Sequence, residues 1–213
     1  MLVQARGGMV VSEGAMGKPY RRKDHFFVQA KRQGLRARSA FKLEEILERF
    51  HLVRRGFRVL DLGAAPGGFL QVLAKAVGPD GKVIGIDLVP IRPLPFPWVE
   101  TEVIDVMDSE FDRKLAALHA APFDAVISDL APKTTGIRTT DEARSGALAT
   151  RAADIAQAHG APRSCLVVKL FMGADFESFR SFLKNRYREV KVIRPQATRT
   201  ASIEVYLLGL DKK

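Results

Sequence analysis

Residues 59–69, VLDLGAAPGGF, decide the fold of this chain. A short apolar run containing Asp61 leads into a glycine-rich turn, and residues 70–77 (LQVLAKAV) then have the composition of a helix. A strand, a tight turn and a helix N-terminus in this order form the usual cofactor-binding unit of an open α/β sheet. We therefore predict an α/β protein with a ligand at this turn.

The spacing of the glycines in the turn limits the kind of ligand. Gly63, Gly67 and Gly68 do not follow the G-x-G-x-x-G pattern that seats a dinucleotide pyrophosphate. Pro66 stiffens the turn, while Gly67 and Gly68 let the backbone approach a ligand that carries no phosphate. S-adenosylmethionine is the better candidate, and we expect the turn from Gly63 onward to form one wall of its site. An NAD(P)-dependent oxidoreductase is the alternative that this spacing disfavours.

Apolar runs and helical patterns alternate along the rest of the 213 residues and predict one Rossmann-like domain. Strands are expected at residues 57–62, 82–87, 98–104, 123–129, 164–171, 189–194 and 203–210, and helices at 39–50, 70–77, 109–119, up to about 159, and 175–187. The last two strands must be antiparallel, because their connection leaves no room for a crossover helix. We therefore predict a seven-stranded, mostly parallel sheet with an antiparallel last strand and helices on both faces.

Positive charge is concentrated near the start of the chain. The formal net charge is +10, and residues 18–42 hold nine basic side chains against Asp24 alone. A solvated basic face is one interpretation, but a basic arm beside a cofactor domain favours a polyanionic partner, most simply nucleic acid. We divide the chain into a disordered tail (1–17), a basic arm that would bind nucleic acid (18–38) and the Rossmann-like domain (39–213).

Cysteine content and hydropathy indicate the compartment. Cys165, the single cysteine, lies in an apolar run and is expected to fill the core, so a reducing cytosol fits. No apolar stretch approaches the roughly 20 residues that span a bilayer. We expect a cytoplasmic monomer with no membrane contact, no metal site and no obligate protein partner.

Three acids each close a predicted strand: Asp87, Asp105 and Asp129. Ligands collect beyond the carboxyl ends of parallel strands, so all three should converge at one edge of the sheet. Asp87, 24 residues beyond Gly63, is placed to accept hydrogen bonds from a ribose diol, and Asp105 to meet the adenine amino group. Asp129 begins the sequence DLAP, near the expected methyl group. Each acid taken singly also fits an ordinary turn or capping residue.

Lys169 is unusual because it lies inside the apolar run VVKLF. We interpret it as a catalytic group held among acids at the cofactor edge, although a lysine that extends to the surface is the structural alternative. Glu204 supports the catalytic interpretation. The antiparallel last strand begins at the same edge, and the residues around Glu204 are apolar.

Six motifs follow one another along the chain: YRRKDH (20–25), RSAFKL (38–43), DLGAAPGG (61–68), SDLAP (128–132), VKLF (168–171) and EVY (204–206). Together they resemble the FtsJ/RrmJ family of ribose 2′-O-methyltransferases, from about Lys18 to the C-terminus. The resemblance implies a Rossmann-like S-adenosylmethionine-dependent methyltransferase domain. Phe69 stands where the family often has tryptophan, and Lys133 stands where asparagine is common.

The resemblance also implies residue roles. S-adenosylmethionine would be held by Gly67, the backbone of Phe69, Asp87, Asp105 and Asp129. The target 2′-hydroxyl would be surrounded by Lys42, Asp129, Lys169 and Glu204, with Lys169 as proton acceptor. Because the bacterial branch modifies a uridine of 23S rRNA in the peptidyl-transferase region, the implied partner is 23S rRNA within the large ribosomal subunit.

Three alternatives stay open at this point. Asp129 and Glu204 would favour the charged form of Lys169, and a charged lysine acts electrostatically rather than as a base. A tRNA ribose is a second possible target. A ribosome-assembly factor, in which RNA binding matters more than methylation, is a second possible function.

Overall fold

The computed structural model describes residues 25–119 and 122–213, which form one sheet flanked by helices. The strands are β1 (Arg58–Leu62), β2 (Lys82–Asp87), β3 (Val99–Val103), β4 (Phe123–Ser128), β5 (Gly160–Phe171), β6 (Tyr187–Ile193) and β7 (Glu204–Lys212). The helices are α1 (His25–Arg32), α2 (Ala40–Phe50), α3 (Gly68–Val77), α4 (Phe111–Leu118), α5 (Arg138–His159) and α6 (Phe176–Lys184). The predicted tail, and the part of the basic arm before His25, lie outside the described residues.

The sheet has the strand order β3-β2-β1-β4-β5-β7-β6. Strands β1 to β5 pair in parallel, whereas β7 is antiparallel to both β5 and β6. The order in which strands are added to the sheet reverses at β1, with β2 on one side and β4 on the other, and this is the switch point where ligands bind in such sheets. The predicted seven-stranded sheet with an antiparallel last strand is therefore confirmed.

Two hydrophobic cores lie on opposite faces of the sheet. Helices α4, α5 and α6 cover one face, and α1, α2 and α3 cover the other. Strand β1 serves both cores, because Leu60 and Leu62 point to the first and Val59 points to the second. Burial on both faces explains why the inner strands read as continuous apolar runs. It also places β1 and its turn at the centre of the domain.

Two element boundaries differ from the sequence-based expectation by three residues or more. Strand β5 begins at Gly160 rather than Ser164. Its first residues are irregular, with a register shift against β4 and a positive φ at Arg163, so the sequence lacks a regular strand pattern there. Helix α6 ends at Lys184 because Tyr187 already begins β6 and buries its ring in the core. Neither difference moves a candidate site residue.

Residues 25–38, which the sequence analysis assigned to the basic arm, pack on the domain. They include α1, and the side chains of Ala30 and Leu35 are buried in the same core as α2 and α3. Only the weak apolar pattern of α1 points to this packing in the sequence. The described part of the arm is thus held in a defined place beside the glycine turn.

Cys165 lies in the core, with its thiol 3.5 Å from the carbonyl oxygen of Leu52. Burial raises the pKa of Cys165 to about 12, so the thiol stays protonated at neutral pH and is a poor nucleophile. Within the described ranges, none of the helices combines the length and the apolar character that crossing a bilayer requires.

Gly209 in β7 provides a test of how tightly the Tyr187 ring of β6 packs against β7. A Cβ atom at this position would lie 2.5 Å from the Tyr187 ring, which is itself buried. We expect Gly209→Ala to lower the free energy of unfolding by about 1–3 kcal/mol, because the ring has no free space to move into. Urea denaturation followed by circular dichroism measures the change.

Gly146→Ala in α5 is the matched control. Its Cβ atom would meet Asp175 at an ordinary 3.5 Å, and alanine favours a helix by about 0.5–1 kcal/mol over glycine. Equal unfolding midpoints for the Gly209 variant and the wild type would contradict the packing described for β7.

Candidate active site

A cavity of about 460 Å³ opens at the carboxyl edge of the sheet, between the ends of β1, β2 and β4. Its lining comprises Gly63, Ala65, Asp87, Leu88, Ile104, Asp105, Val106, Met107, the segment 129–133 and Leu148. The edge therefore brings together the four residues that the sequence analysis placed at strand ends: Gly63, Asp87, Asp105 and Asp129. Gly67 and Phe69 are not part of this lining, because Arg36 lies against Gly67 and the ring of Phe69 is buried in the core.

The glycine turn is fixed against its neighbours by backbone contacts. Gly63 has a φ of +79°, and a Cβ atom there would lie 3.0 Å from the amide nitrogen of Leu130. The amides of Gly63 and Ala64 both donate to the carbonyl oxygen of Ile86, at 2.9 and 3.1 Å. Glycine at 63 thus lets the turn approach the loop after β4, and the turn forms one wall of the cavity.

Asp87 and Asp105 each accept backbone hydrogen bonds. The Oδ2 atom of Asp87 accepts from the amide of Ala65 at 2.9 Å, and Oδ1 accepts from Val89 at 3.2 Å. Asp105 Oδ1 accepts from the amide of Met107 at 2.9 Å. These bonds are the structural role expected of acids at strand ends, and they orient both carboxylates at the cavity wall.

Lys169 pairs with Asp129. Its Nζ atom lies 2.9 Å from Asp129 Oδ1 and donates to the carbonyl oxygen of Asp129 at 2.6 Å. The hydroxyl of Tyr206 donates to the same Oδ1 atom at 2.7 Å. Lys169 is 5% exposed, so the pair is largely shielded from water. Burial, followed by the charge of Asp129 and the hydrogen bond to it, raises the pKa of Tyr206 well above its usual value.

Lys42 pairs with Glu204 beside the first pair. Lys42 Nζ lies 2.8 Å from Glu204 Oε2. Lys42 Nζ also lies 5.8 Å from the centre of the Tyr206 ring. Burial acts to raise the pKa of Glu204, but the hydrogen bond from Lys42 and the charges of Lys42 and Lys169 bring it below its usual value. Glu204 is therefore ionised at neutral pH, and the two lysine–carboxylate pairs form one cluster around Tyr206.

The loop from Asp129 to α5 is held by Asp141. This carboxylate accepts hydrogen bonds from the amide and hydroxyl of Thr135 and from the amide of Gly136. Arg144 donates to the carbonyl oxygen of Lys133 in the same loop. The residues that line the cavity at 130–133 thus have a defined position.

Sequence reasoning missed Tyr206 and Asp61 as members of this site. Tyr206 follows Glu204 by two residues on one strand, so both side chains face the same side of the sheet. The two-residue period of a strand could therefore have identified Tyr206 from the sequence. The carboxylate of Asp61 is fully buried, and neither of its oxygens has a hydrogen-bond partner among the described residues. Burial, followed by the charges of Asp129 and Asp87, raises its pKa well above the usual value.

The glycine turn, the acids at successive strand ends and the buried lysine–carboxylate pairs define a Rossmann-like methyltransferase. Residues 35–212 match the family of FtsJ-like methyltransferases, and the chain belongs to this family. It is 60% identical over 205 residues to the ribosomal RNA large subunit methyltransferase E of Myxococcus xanthus, with 96% of each chain covered. The protein of the same name from Bdellovibrio bacteriovorus is 39% identical. The match covers 91% of this chain and 99% of that protein.

Solved structures agree on the fold. A crystal structure of a ribosomal RNA methyltransferase from Plasmodium falciparum superimposes with a TM-score of 0.73 at 23% identity. The match covers 83% of this chain and 98% of that one. At this identity the likeness supports the Rossmann-like architecture.

The raised pKa of Asp61 predicts a pH dependence of stability. The folded state holds a proton on Asp61 above the unfolded pKa of about 3.9, so stability falls as pH rises until the folded pKa is passed. Asp61→Asn removes this proton uptake. We expect the stability of the variant relative to the wild type to be higher at pH 8 than at pH 5, and each pH unit below the folded pKa contributes at most about 1.4 kcal/mol.

Urea unfolding at both pH values measures this difference. Asp80→Asn is the control, because it removes the same charge at an exposed turn. A difference between the Asp61 variant and the wild type that is the same at pH 5 and pH 8 would show that Asp61 is ionised in the folded state.

Proposed function

We propose that this chain transfers a methyl group from S-adenosylmethionine to a ribose 2′-hydroxyl of large-subunit ribosomal RNA, with a uridine of 23S rRNA as the target. The observation that carries the proposal is the cluster of Lys42–Glu204 and Lys169–Asp129 beside a cavity of cofactor size. Asp129 belongs to both the cluster and the lining of the cavity, so the cofactor and the reacting hydroxyl would meet at this residue.

The cavity suits S-adenosylmethionine. Its volume falls within the roughly 300–1,000 Å³ typical of small-molecule sites. Asp87 and Asp105 offer acceptors for the ribose hydroxyls and the adenine amino group, and Leu88 and Met107 are apolar side chains that are 63% and 54% exposed. We propose that the adenine covers this apolar surface. The bound cofactor supplies an electrophilic methyl group on a positively charged sulfur.

The protein must orient a poorly acidic hydroxyl and stabilise the negative charge that develops on its oxygen. Lys169 donates to both the carboxylate and the carbonyl of Asp129, and these two bonds suit the ammonium form, which has a third hydrogen left to donate. We propose that this third hydrogen points to the ribose oxygen. Lys169 then acts electrostatically: a carboxylate of the cluster takes the hydroxyl proton as the oxygen–methyl bond forms, the ammonium stabilises the negative charge that develops on the oxygen, and the sulfur departs as a neutral thioether.

The surroundings of the cluster favour an RNA strand. A second cavity of about 330 Å³ adjoins the Lys42–Glu204 pair, and Arg38 and Arg199 contribute to its lining. Basic residues of the arm, Lys31 and Arg32 among them, lie on the segment that leads to Lys42. Phosphate contacts of this kind position a strand without specifying its sequence. We propose that this cavity accepts the sugar–phosphate backbone of the RNA next to the target ribose. We also propose that the protein acts in the cytoplasm.

Lys169→Ala tests the role of the cluster. We expect methyl transfer to fall by a factor on the order of 10²–10⁴, because the group that orients and stabilises the oxygen is lost. Binding of S-adenosylmethionine, followed by isothermal titration calorimetry, should survive, since Lys169 does not line the cofactor cavity.

Lys75→Ala on the exposed side of α3 is the control, and circular dichroism reports whether each variant folds. Near-normal turnover of folded Lys169→Ala protein would refute the assignment. Rescue of a deletion strain by the same variant would favour the ribosome-assembly function instead.

The substrate is tested by transfer of labelled methyl groups to large ribosomal subunits, naked 23S rRNA and tRNA, followed by mapping of the modified nucleotide. We expect incorporation at the ribose of one uridine in 23S rRNA. Incorporation into tRNA alone would refute the proposed substrate while leaving the reaction class intact.

A further inference from the structure

The guanidinium of Arg36 joins two loops that lie on the outer side of the cofactor cavity. Its Nη1 atom donates to the carbonyl oxygens of Arg92 at 2.5 Å and Pro66 at 3.3 Å, and Nη2 donates to Pro93 at 2.7 Å. Pro66 belongs to the glycine turn after β1. Arg92 and Pro93 belong to the connection between β2 and β3. One side chain of the basic arm therefore tethers both loops.

The connection after β2 needs such an external donor. It contains four prolines between residues 90 and 97, and proline has no backbone N–H with which to hold the segment in place. Its carbonyl groups can still accept hydrogen bonds. The planar fork of an arginine, with five N–H groups, can serve several carbonyls at once.

The backbone of Arg36 is itself fixed at the start of α3. The amide of Arg36 donates to the Oε1 atom of Gln71 at 2.7 Å, and the Nε2 atom of Gln71 donates to the carbonyl oxygen of Gly34 at 3.0 Å. Leu35 between them is buried in the core. The arm thus crosses the first turn of α3 in one defined position.

Gly67 makes room for this crossing. Its φ is +104°, and a Cβ atom there would lie 3.0 Å from Nη1 and 3.1 Å from Cδ of Arg36. Glycine at 67 therefore serves the approach of Arg36 in addition to the tight turn. This finding gives a physical role to a residue that does not line the cavity.

The two tethered loops are walls of the same cavity. Ala65, next to Pro66, lines it from the glycine turn, and Leu88, four residues before Arg92, lines it from the connection. On the inner side, the amide of Ala65 donates to Asp87 Oδ2 at 2.9 Å. Arg36 closes the outer side of the same junction.

We propose that Arg36 is a positioning residue for the cofactor: it ties the basic arm to the cofactor site by holding the connection after β2 against the glycine turn. Its guanidinium acts through backbone carbonyls and does not contact the reacting atoms. The effect on affinity rests on the proposed S-adenosylmethionine site, whereas the tether itself exists without any ligand.

The test uses three variants of the full chain. Arg36→Gln removes the fork, and Arg36→Lys keeps the charge but has a single terminal nitrogen for the carbonyls of two loops. Arg92→Gln is the matched control, since it removes a positive charge from the same exposed connection but keeps the backbone carbonyl that Arg36 binds.

Hydrogen exchange of the ligand-free protein reports on the tether. We expect faster exchange at residues 64–69 and 88–96 in both Arg36 variants, and wild-type exchange in Arg92→Gln. Isothermal titration with S-adenosylmethionine in the absence of RNA should give a Kd about tenfold higher for both Arg36 variants, as expected for the loss of charged hydrogen bonds. When S-adenosylmethionine and RNA are both saturating, kcat should be close to that of the wild type, because Arg36 does not contact the reacting atoms.

Unchanged exchange and Kd in Arg36→Gln would overturn the proposal and leave Arg36 as a contact to RNA alone. A wild-type Kd in Arg36→Lys, together with a raised Kd in Arg36→Gln, would assign the effect to charge and also overturn it. Failure of the wild type to bind S-adenosylmethionine would refute the proposed function, while the exchange of the ligand-free protein would still decide whether Arg36 tethers the loops.

Discussion

The antiparallel insertion of β7 between β5 and β6 is the constraint on which the site depends. Because β7 runs against its neighbours, its first residue pairs with the last residue of β5, so Glu204 lies at the carboxyl edge. The same register sets Tyr206 opposite Lys169. A parallel β7 would begin at the opposite edge, about 17–20 Å away for a strand of ordinary length. The lysine–carboxylate cluster then could not form.

The site combines buried charges that are paired with one buried acid that is not. Lys42 and Lys169 are each 5% exposed, and each contacts a carboxylate within 3 Å. Removing one partner from such a pair leaves an uncompensated charge, which costs far more than the pair contributes to stability. Asp61 has no such partner among the described residues, and burial raises its pKa well above the usual value. The lysine–carboxylate pairs of the cluster are therefore already formed without a bound substrate.

Much of the fold and part of the site could be predicted from the sequence. Asp87, Asp105 and Asp129 were placed at one edge because each closes an apolar run, and the structure puts all three in the lining of one cavity. Lys42 entered only through the family resemblance, since a lysine in an amphipathic helix carries no local signal. Arg36 counted as one basic residue among nine. Its real partners are backbone carbonyls, which no sequence pattern displays.

Local sequence was sufficient for the strands, the glycine turn and the acids that follow the strands. These features depend on hydrophobic period and turn chemistry, which act over a few residues. The partners in the site were settled by folding, because Lys42 and Glu204 are 162 residues apart and meet only once α2 packs on the sheet beside β7. The raised pKa of Asp61 has the same origin. Its environment is assembled from distant segments that exclude water, and a residue's neighbours in sequence do not reveal its burial.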